Sequence, residues 1–150
     1  MKRLVTSFRL LTSTFAMSLA MAPAWAQSAP APAPASVLSL ELNAAQPSEK
    51  GCRLTLVVNN ALGADLSKAA FEIALFNEAG VVDRLTVLDF KDLPSGKTKV
   101  TRFDLSGADC GKLSRVLINS ATECAGRGVD PAACMRALKT STRTAIAFGV

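Results

Sequence analysis

From Ser36 onward, apolar and polar residues alternate in short runs separated by turn residues, the pattern of half-buried strands. Val37 to Leu42 puts Leu38, Leu40 and Leu42 on one face, and Pro47 to Gly51 then reads as a turn. Cys52 to Val58 turns Cys52, Leu54, Leu56 and Val58 the same way. A loop is expected over Asn59 to Lys68, around Gly63. Phe71, Ile73 and Leu75 form the next inward row, followed by a turn at Asn77 to Gly80 and a strand with mixed faces over Val81 to Phe90. Leu93-Pro94-Ser95-Gly96 is a turn, with proline where a fixed φ helps and glycine where φ is positive. Lys97 to Leu105, Leu113 to Asn119 and Thr144 to Phe148 complete seven predicted strands.

Asp130 to Lys139 breaks the alternation. Asp130 suits a helix N-cap, Pro131 the first turn and Lys139 the C-terminal end, while Cys134 and Leu138 share a face. Seven short strands and one short helix near the C-terminus predict an all-β fold, an Ig-like antiparallel β-sandwich occupying residues 36–150.

The chain before Ser36 has a different character. Lys2, Arg3 and Arg9 precede an uncharged apolar run, Leu10 to Ala22, and Ala24-Trp25-Ala26-Gln27 places small residues at −3 and −1 of a cleavage site. This is the order of a secretory signal peptide, so residues 1–26 are expected to be removed between Ala26 and Gln27. As a helix the 13-residue run rises only about 20 Å, short of the roughly 30 Å hydrocarbon core, so no stable membrane insertion is expected after cleavage. Residues 27–35, ending in the Ser28 to Ala35 run SAPAPAPA, read as an Ala/Pro-rich semi-rigid linker. The expected location is the periplasm.

Charge means less than it first suggests. The 150 residues carry 17 Lys+Arg and 12 Asp+Glu, a net charge of +5. Removing the three bases of the signal leaves 14 against 12 acids. The bases Lys91, Lys97, Lys99, Arg102, Lys112 and Arg115 are interleaved with Asp89, Asp92, Asp104 and Asp109, which reads as a solvated mixed-charge face. The five phenylalanines beyond the signal suit a core better than a stacking platform, and no nucleic-acid partner is expected.

The cysteines carry the strongest chemical signal. Cys52, Cys110, Cys124 and Cys134 all lie in the exported part, and an even count in an oxidising compartment reads as two disulfides. Of three possible pairings, Cys52–Cys110 with Cys124–Cys134 is preferred. The first would join two strand ends, and the second would fasten the helical insert to the strand before it. The closest spacing is ten residues, unlike a Cys-x-x-Cys redox centre or paired zinc ligands.

Catalytic chemistry finds little support. The chain has no histidine, which removes imidazole bases and every His-ligated metal site. Asp89 with Asp92, or Asp104 with Asp109, would be carboxylate pairs, but loop acids usually close turns. Ser36, Ser67, Ser95 and Ser114 lie in no nucleophile motif. No catalytic residue, metal or cofactor is expected.

Asn59-Asn60, the run Phe71 to Asn77 with Gly80-Val81-Val82, Leu93 to Lys97, and Phe103 together resemble the FxLYD-type β-sandwich modules of exported bacterial proteins. Phe76 stands where that family usually has tyrosine, and Asn77 where it has aspartate. The four-cysteine layout is also similar to small exported proteins labelled Tat pathway signal sequence domain proteins, although this signal has no Arg-Arg pair, only Lys2-Arg3 at the extreme N-terminus. The resemblance implies an Ig-like fold and an envelope location, and brings no reaction. The leading expectation is a non-catalytic module that binds another envelope protein, as a binding or adaptor domain. The alternatives are a structural or stress-tolerance envelope protein without a dedicated ligand, and an enzyme with an unrecognised site. An exposed apolar patch favours the first, a uniformly polar surface the second, and a pocket of convergent polar groups the third. The oligomeric state is left open.

Overall fold

The computed structural model describes residues 36–150. The expected signal peptide, its cleavage site at Ala24, Ala26 and Gln27, and the linker lie outside the described residues. Eight strands run β1 (Val37–Ser48), β2 (Gly51–Ala61), β3 (Leu66–Asn77), β4 (Val82–Leu93), β5 (Thr98–Ser106), β6 (Leu113–Ala125), β7 (Leu138–Thr142) and β8 (Ala147–Gly149). They form two four-stranded sheets, ordered β5-β2-β1-β7 and β4-β3-β6-β8. A helical turn, Cys110–Lys112, precedes β6, and one short helix, α1 (Ala133–Arg136), precedes β7. The fold is the all-β sandwich that the alternation predicts.

The inner faces explain why. Leu38, Leu40 and Leu42 of β1 and Cys52, Leu54, Leu56 and Val58 of β2 are buried on one layer. Phe71, Ile73 and Leu75 of β3, Leu88 and Phe90 of β4, and Val116 and Ile118 of β6 oppose them. Each large aliphatic removed from water in this way stabilises the fold by about 2 kcal/mol before entropy is counted. The aromatic rings tie the layers together. Phe90 packs edge-to-face on Phe71 at 6.0 Å and on Phe103 of β5, in the opposite sheet, at 5.1 Å.

Three details differ from the sequence expectation. The helix is only four residues long, and its N-cap is Ala132, which makes no side-chain cap bond. Asp130 instead accepts from the Ala132 N–H at 2.9 Å and closes the preceding turn. Leu138 to Thr142, whose first two residues fall within the expected helix, forms β7 and pairs parallel with β1. β8 likewise pairs parallel with β6, so both sheets are mixed and the strands number eight rather than seven. Such parallel returns carry no hairpin turn in the sequence. β7 has only one large apolar residue, Leu138, so its period was weak. The turn predicted from Pro47 is confined to Glu49 and Lys50, because β1 continues to Ser48 opposite Gly51.

The disulfides fasten opposite ends of the sandwich. Cys52–Cys110 joins the start of β2 in one sheet to the turn leading into β6 in the other, with Cα atoms 5.0 Å apart. Cys124–Cys134 joins the far end of β6 to α1, with Cα atoms 5.9 Å apart. A Cβ at Gly51, beside the first bond, would collide with the Leu105 carbonyl, so glycine is required where β2 starts. The closed loops span 58 and 10 residues. By loop-closure entropy, replacing both cysteines of the first bond by alanine costs about 4 kcal/mol, and of the second about 3 kcal/mol. Urea unfolding of the two double variants checks this order; a larger loss from the Cys124/Cys134 variant would contradict it.

Candidate functional site

Two places on the sandwich merit attention: a cleft at the loop end and the outer face of the second sheet. The cleft lies between the β2–β3 connection, which the structure confines to residues 62–65 because β2 runs on to Ala61 and β3 starts at Leu66 where a loop over Asn59 to Lys68 was expected, and the segment that follows β6. It holds about 400 Å³ between Leu62 and Ala64 of the first, Val129 and Asp130 of the second, and Ser36 and Arg136. Asn60 organises it from below and is 1% exposed, the one buried polar residue among those described. Its side-chain amide donates to the carbonyls of Ala64 (2.9 Å) and Leu93 (2.7 Å), and its oxygen accepts from Leu62 N–H at 3.0 Å. Its main chain accepts from Gly96 N–H at 2.6 Å, and Asp65 accepts from Ser95 N–H at 2.7 Å. The Asn59-Asn60 and Leu93-to-Lys97 signatures are thus one closed hydrogen-bond network that shapes loops. Across the cleft, Asp130 is already paired with Arg136.

The candidate carboxylates are engaged in the same way. Asp89 bonds both the main-chain N–H and the Nζ of Lys91, holding that residue at φ 63° in a bulge of β4. Asp92 lies 3.5 Å from Lys99, Asp109 accepts from Gly111 N–H, and Arg53 grips Asp104 through two nitrogens. The basic concentration seen in the sequence is therefore spread over separate ion pairs. Among the described residues no group of three His, Cys, Asp or Glu side chains is placed to hold a metal ion. The described residues also include no helix long and apolar enough to cross a membrane.

The outer faces of the two sheets differ sharply. On the first, Ser39 and Glu41 of β1, Arg53, Thr55 and Asn59 of β2, Arg102 and Asp104 of β5, and Lys139 and Ser141 of β7 share the exterior with Val57 and Val100. On the second, register aligns apolar residues across all four strands. One row runs Leu85, Ala74, Leu117, Gly149, and the next Val82, Phe76, Arg115, Ala147. Leu85 is 56% exposed, Val87 50%, Val82 48% and neighbouring Val81 60%. Phe76 and Leu117, next to them in the rows, are half-buried. The Arg115 guanidinium lies 5.5 Å from the Phe76 ring centroid, a cation held over the platform by the ring's negative face. The mixed faces of β4 are visible in the sequence, whereas the platform is not, because its rows join strands far apart in the chain.

The family-model and curated-protein comparisons give no match to this chain. Among solved structures, the trimeric lipoprotein SadB of Salmonella enterica is similar at 20% identity and a TM-score of 0.41, over 47% of this chain. The likeness spans 40% of that protein. At that score it adds nothing to the geometry.

The shifted ionisable groups all move toward the charged form. Hydrogen bonds hold the carboxyls of Glu41 (from Asn43, then Arg143), Asp89 (Lys91), Asp104 (Arg53) and Asp130 (the Ala132 N–H) below their ordinary values, and Glu123 raises Lys68. A lowered carboxyl means that the folded state binds the proton less tightly than the unfolded chain. Its contribution is complete above the unfolded value, 3.8 for Asp and 4.5 for Glu, and disappears as pH falls through the folded value. The Lys68 contribution is complete below 10.5 and is lost as pH rises through its folded value. With no histidine to titrate between these limits, the urea midpoint should agree at about pH 7 and about pH 5.5 and fall at about pH 3. A drop already present at the intermediate pH would contradict these assignments.

Proposed function

We propose that the protein is an exported, periplasmic, non-catalytic binding module of the FxLYD-like kind, which docks another envelope protein on the outer face of its second sheet. The observation that carries this reading is the apolar platform of Leu85, Val87, Val82, Phe76 and Leu117. Single exposed aliphatics are ordinary, but apolar side chains lying side by side on β4, β3 and β6 cost solubility and are the usual mark of a contact surface. The rigid disulfide-fastened frame supports it, since a preorganised face pays little ordering entropy on binding. Arg115 supplies a directional contact at the rim of the patch, where arginine is favoured. The pairing of all four cysteines supports the exported location. The ion-paired carboxylates and the absence of histidine support the non-catalytic part of the reading.

A photo-activatable cross-linker placed at Leu117 in the exported protein tests the docking face, with the same group at Val57 on the first sheet as the control. A discrete adduct from Leu117, lost on Val82→Asp and absent from Val57, is the expected outcome. Equal labelling from both faces, or an adduct indifferent to Val82→Asp, would overturn the reading.

A further inference from the structure

We propose that the outer face of the second sheet takes a second copy of this chain, packed face to face about a two-fold axis that runs along the row of Leu85, Ala74 and Leu117. The inference rests on the contact-surface reading of that face and names what covers it.

The charges of the second sheet select the occupant. Lys68 is paired with Glu123, Arg84 with Asp83, Lys91 with Asp89 and Asp92 with Lys99, and β8 carries no charge. On the four strands this leaves Glu72 and Arg115 without an ion-pair partner among the described residues. Glu72 accepts one bond, from Asn119 Nδ2 at 2.6 Å, and the Arg115 guanidinium lies over the Phe76 ring. Glu72 is four positions from Phe76 along β3, about 14 Å at the usual rise, so the carboxylate and the guanidinium do not meet within one molecule.

The two charges flank the apolar row evenly. Val82, Phe76 and Arg115 form the row on one side of Leu85, Ala74 and Leu117, and Val87, Glu72 and Ser120 form the row on the other. The guanidinium over Phe76 therefore stands as far from Ala74 in one direction as Glu72 does in the other. Rotation about the middle row exchanges the two outer rows. It sets each Arg115 guanidinium against Glu72 of the second copy and each Val82 against Val87, while Leu85, Ala74 and Leu117 meet their own equivalents. The face is its own complement, the condition for an isologous contact. The facing strands run antiparallel, within the roughly 30° that sheet twist imposes on stacked sheets.

The other charges do not oppose this packing. Asp83 lines a hollow with Gly107 and Ala108 at the end of the opposite sheet and so turns away from the outer face. Asp89 and Glu123, one row beyond Glu72, are held by Lys91 and Lys68 at 2.6 Å each, and the turn that comes opposite them carries only Glu78. Lys99 and Arg102 of β5 belong to the first sheets, which stand three sheet spacings apart, about 30 Å, beyond the ~10 Å Debye length at 0.1 M salt. The three rows span only about 20 Å by 15 Å, less than the ~800 Å² per partner of a standard interface, so the dimer is reversible and its share rises with concentration.

Charge reversal in the exported protein, read by sedimentation equilibrium, tests the pairing. Glu72→Lys and Arg115→Glu should each weaken self-association at least about tenfold, because each sets like charges together at two places. An unchanged thermal transition reports that each variant is folded. Mixing the two variants in equal amounts should restore the dimer, since every reversed charge then faces an opposite one, and the double variant should dimerise by itself. A native protein of monomer mass at every soluble concentration, single reversals that associate as the native protein does, or a mixture that stays monomeric would each overturn the second copy. The adduct from a cross-linker at Leu117 should have the mass of two copies of this chain. An adduct with a different protein, from a native chain that stays monomeric, would overturn this inference and leave the docking reading intact; no adduct from Leu117 at all would overturn both.

Discussion

The register of β4 on β3 is the constraint on which the rest depends. Leu88 and Phe90 must reach inward, where Phe90 touches Phe71 beside it and Phe103 across the core. Because side chains alternate with period two, that choice sends Leu85 and Val87 outward. A slip of one residue would bury Asp89 and expose Phe90. The platform is thus a consequence of the core: the interior fixes which aliphatics remain outside, and how their backbone groups point.

The frame around β4 keeps that register rigid. Phe90 on Phe103, Lys99 on two β4 carbonyls and Arg84 on Ser106 lace the side of the sandwich where both sheets end in an edge strand. The opposite side is closed by the chain itself, as it passes from β7 in one sheet to β8 in the other. The two disulfides then secure the ends. These contacts leave little room for the outer face to rearrange, which is why its exposed aliphatics are a fixed feature and not a breathing core.

Much of this was legible in the residues. The inward rows at Leu38 to Leu42, Leu54 to Val58 and Phe71 to Leu75 are plain period-two runs, and each is buried. The positions of Cys52, Cys110, Cys124 and Cys134 relative to strand ends also pointed to the pairing that the structure shows. β7 was hidden because Thr140 and Thr142 give no apolar period, and because Cys134 and Leu138 also satisfy a helical spacing. The platform was hidden for a different reason. Leu85, Ala74, Leu117 and Gly149 become neighbours only through register between strands, and one of those pairings is parallel. Asn59-Asn60 carries part of the family resemblance, and in the structure its side chains are consumed in holding loops and the β5 start.

Residue-resolved amide hydrogen exchange along β4, in dilute protein, tests the register most directly. Asn77 N–H donates to the Val81 carbonyl, on the β4 side of β3, and backbone groups alternate in direction along an antiparallel strand, so Phe71, Ile73 and Leu75 bond toward β4 and their partners Leu88, Thr86 and Arg84 toward β3. The account predicts slow exchange at Thr86 and Leu88, whose amides face β3, and fast exchange at Leu85 and Val87, whose amides face the open edge. Protection at Leu85 and Val87 with rapid exchange at Thr86 and Leu88 would contradict it, and with it the platform.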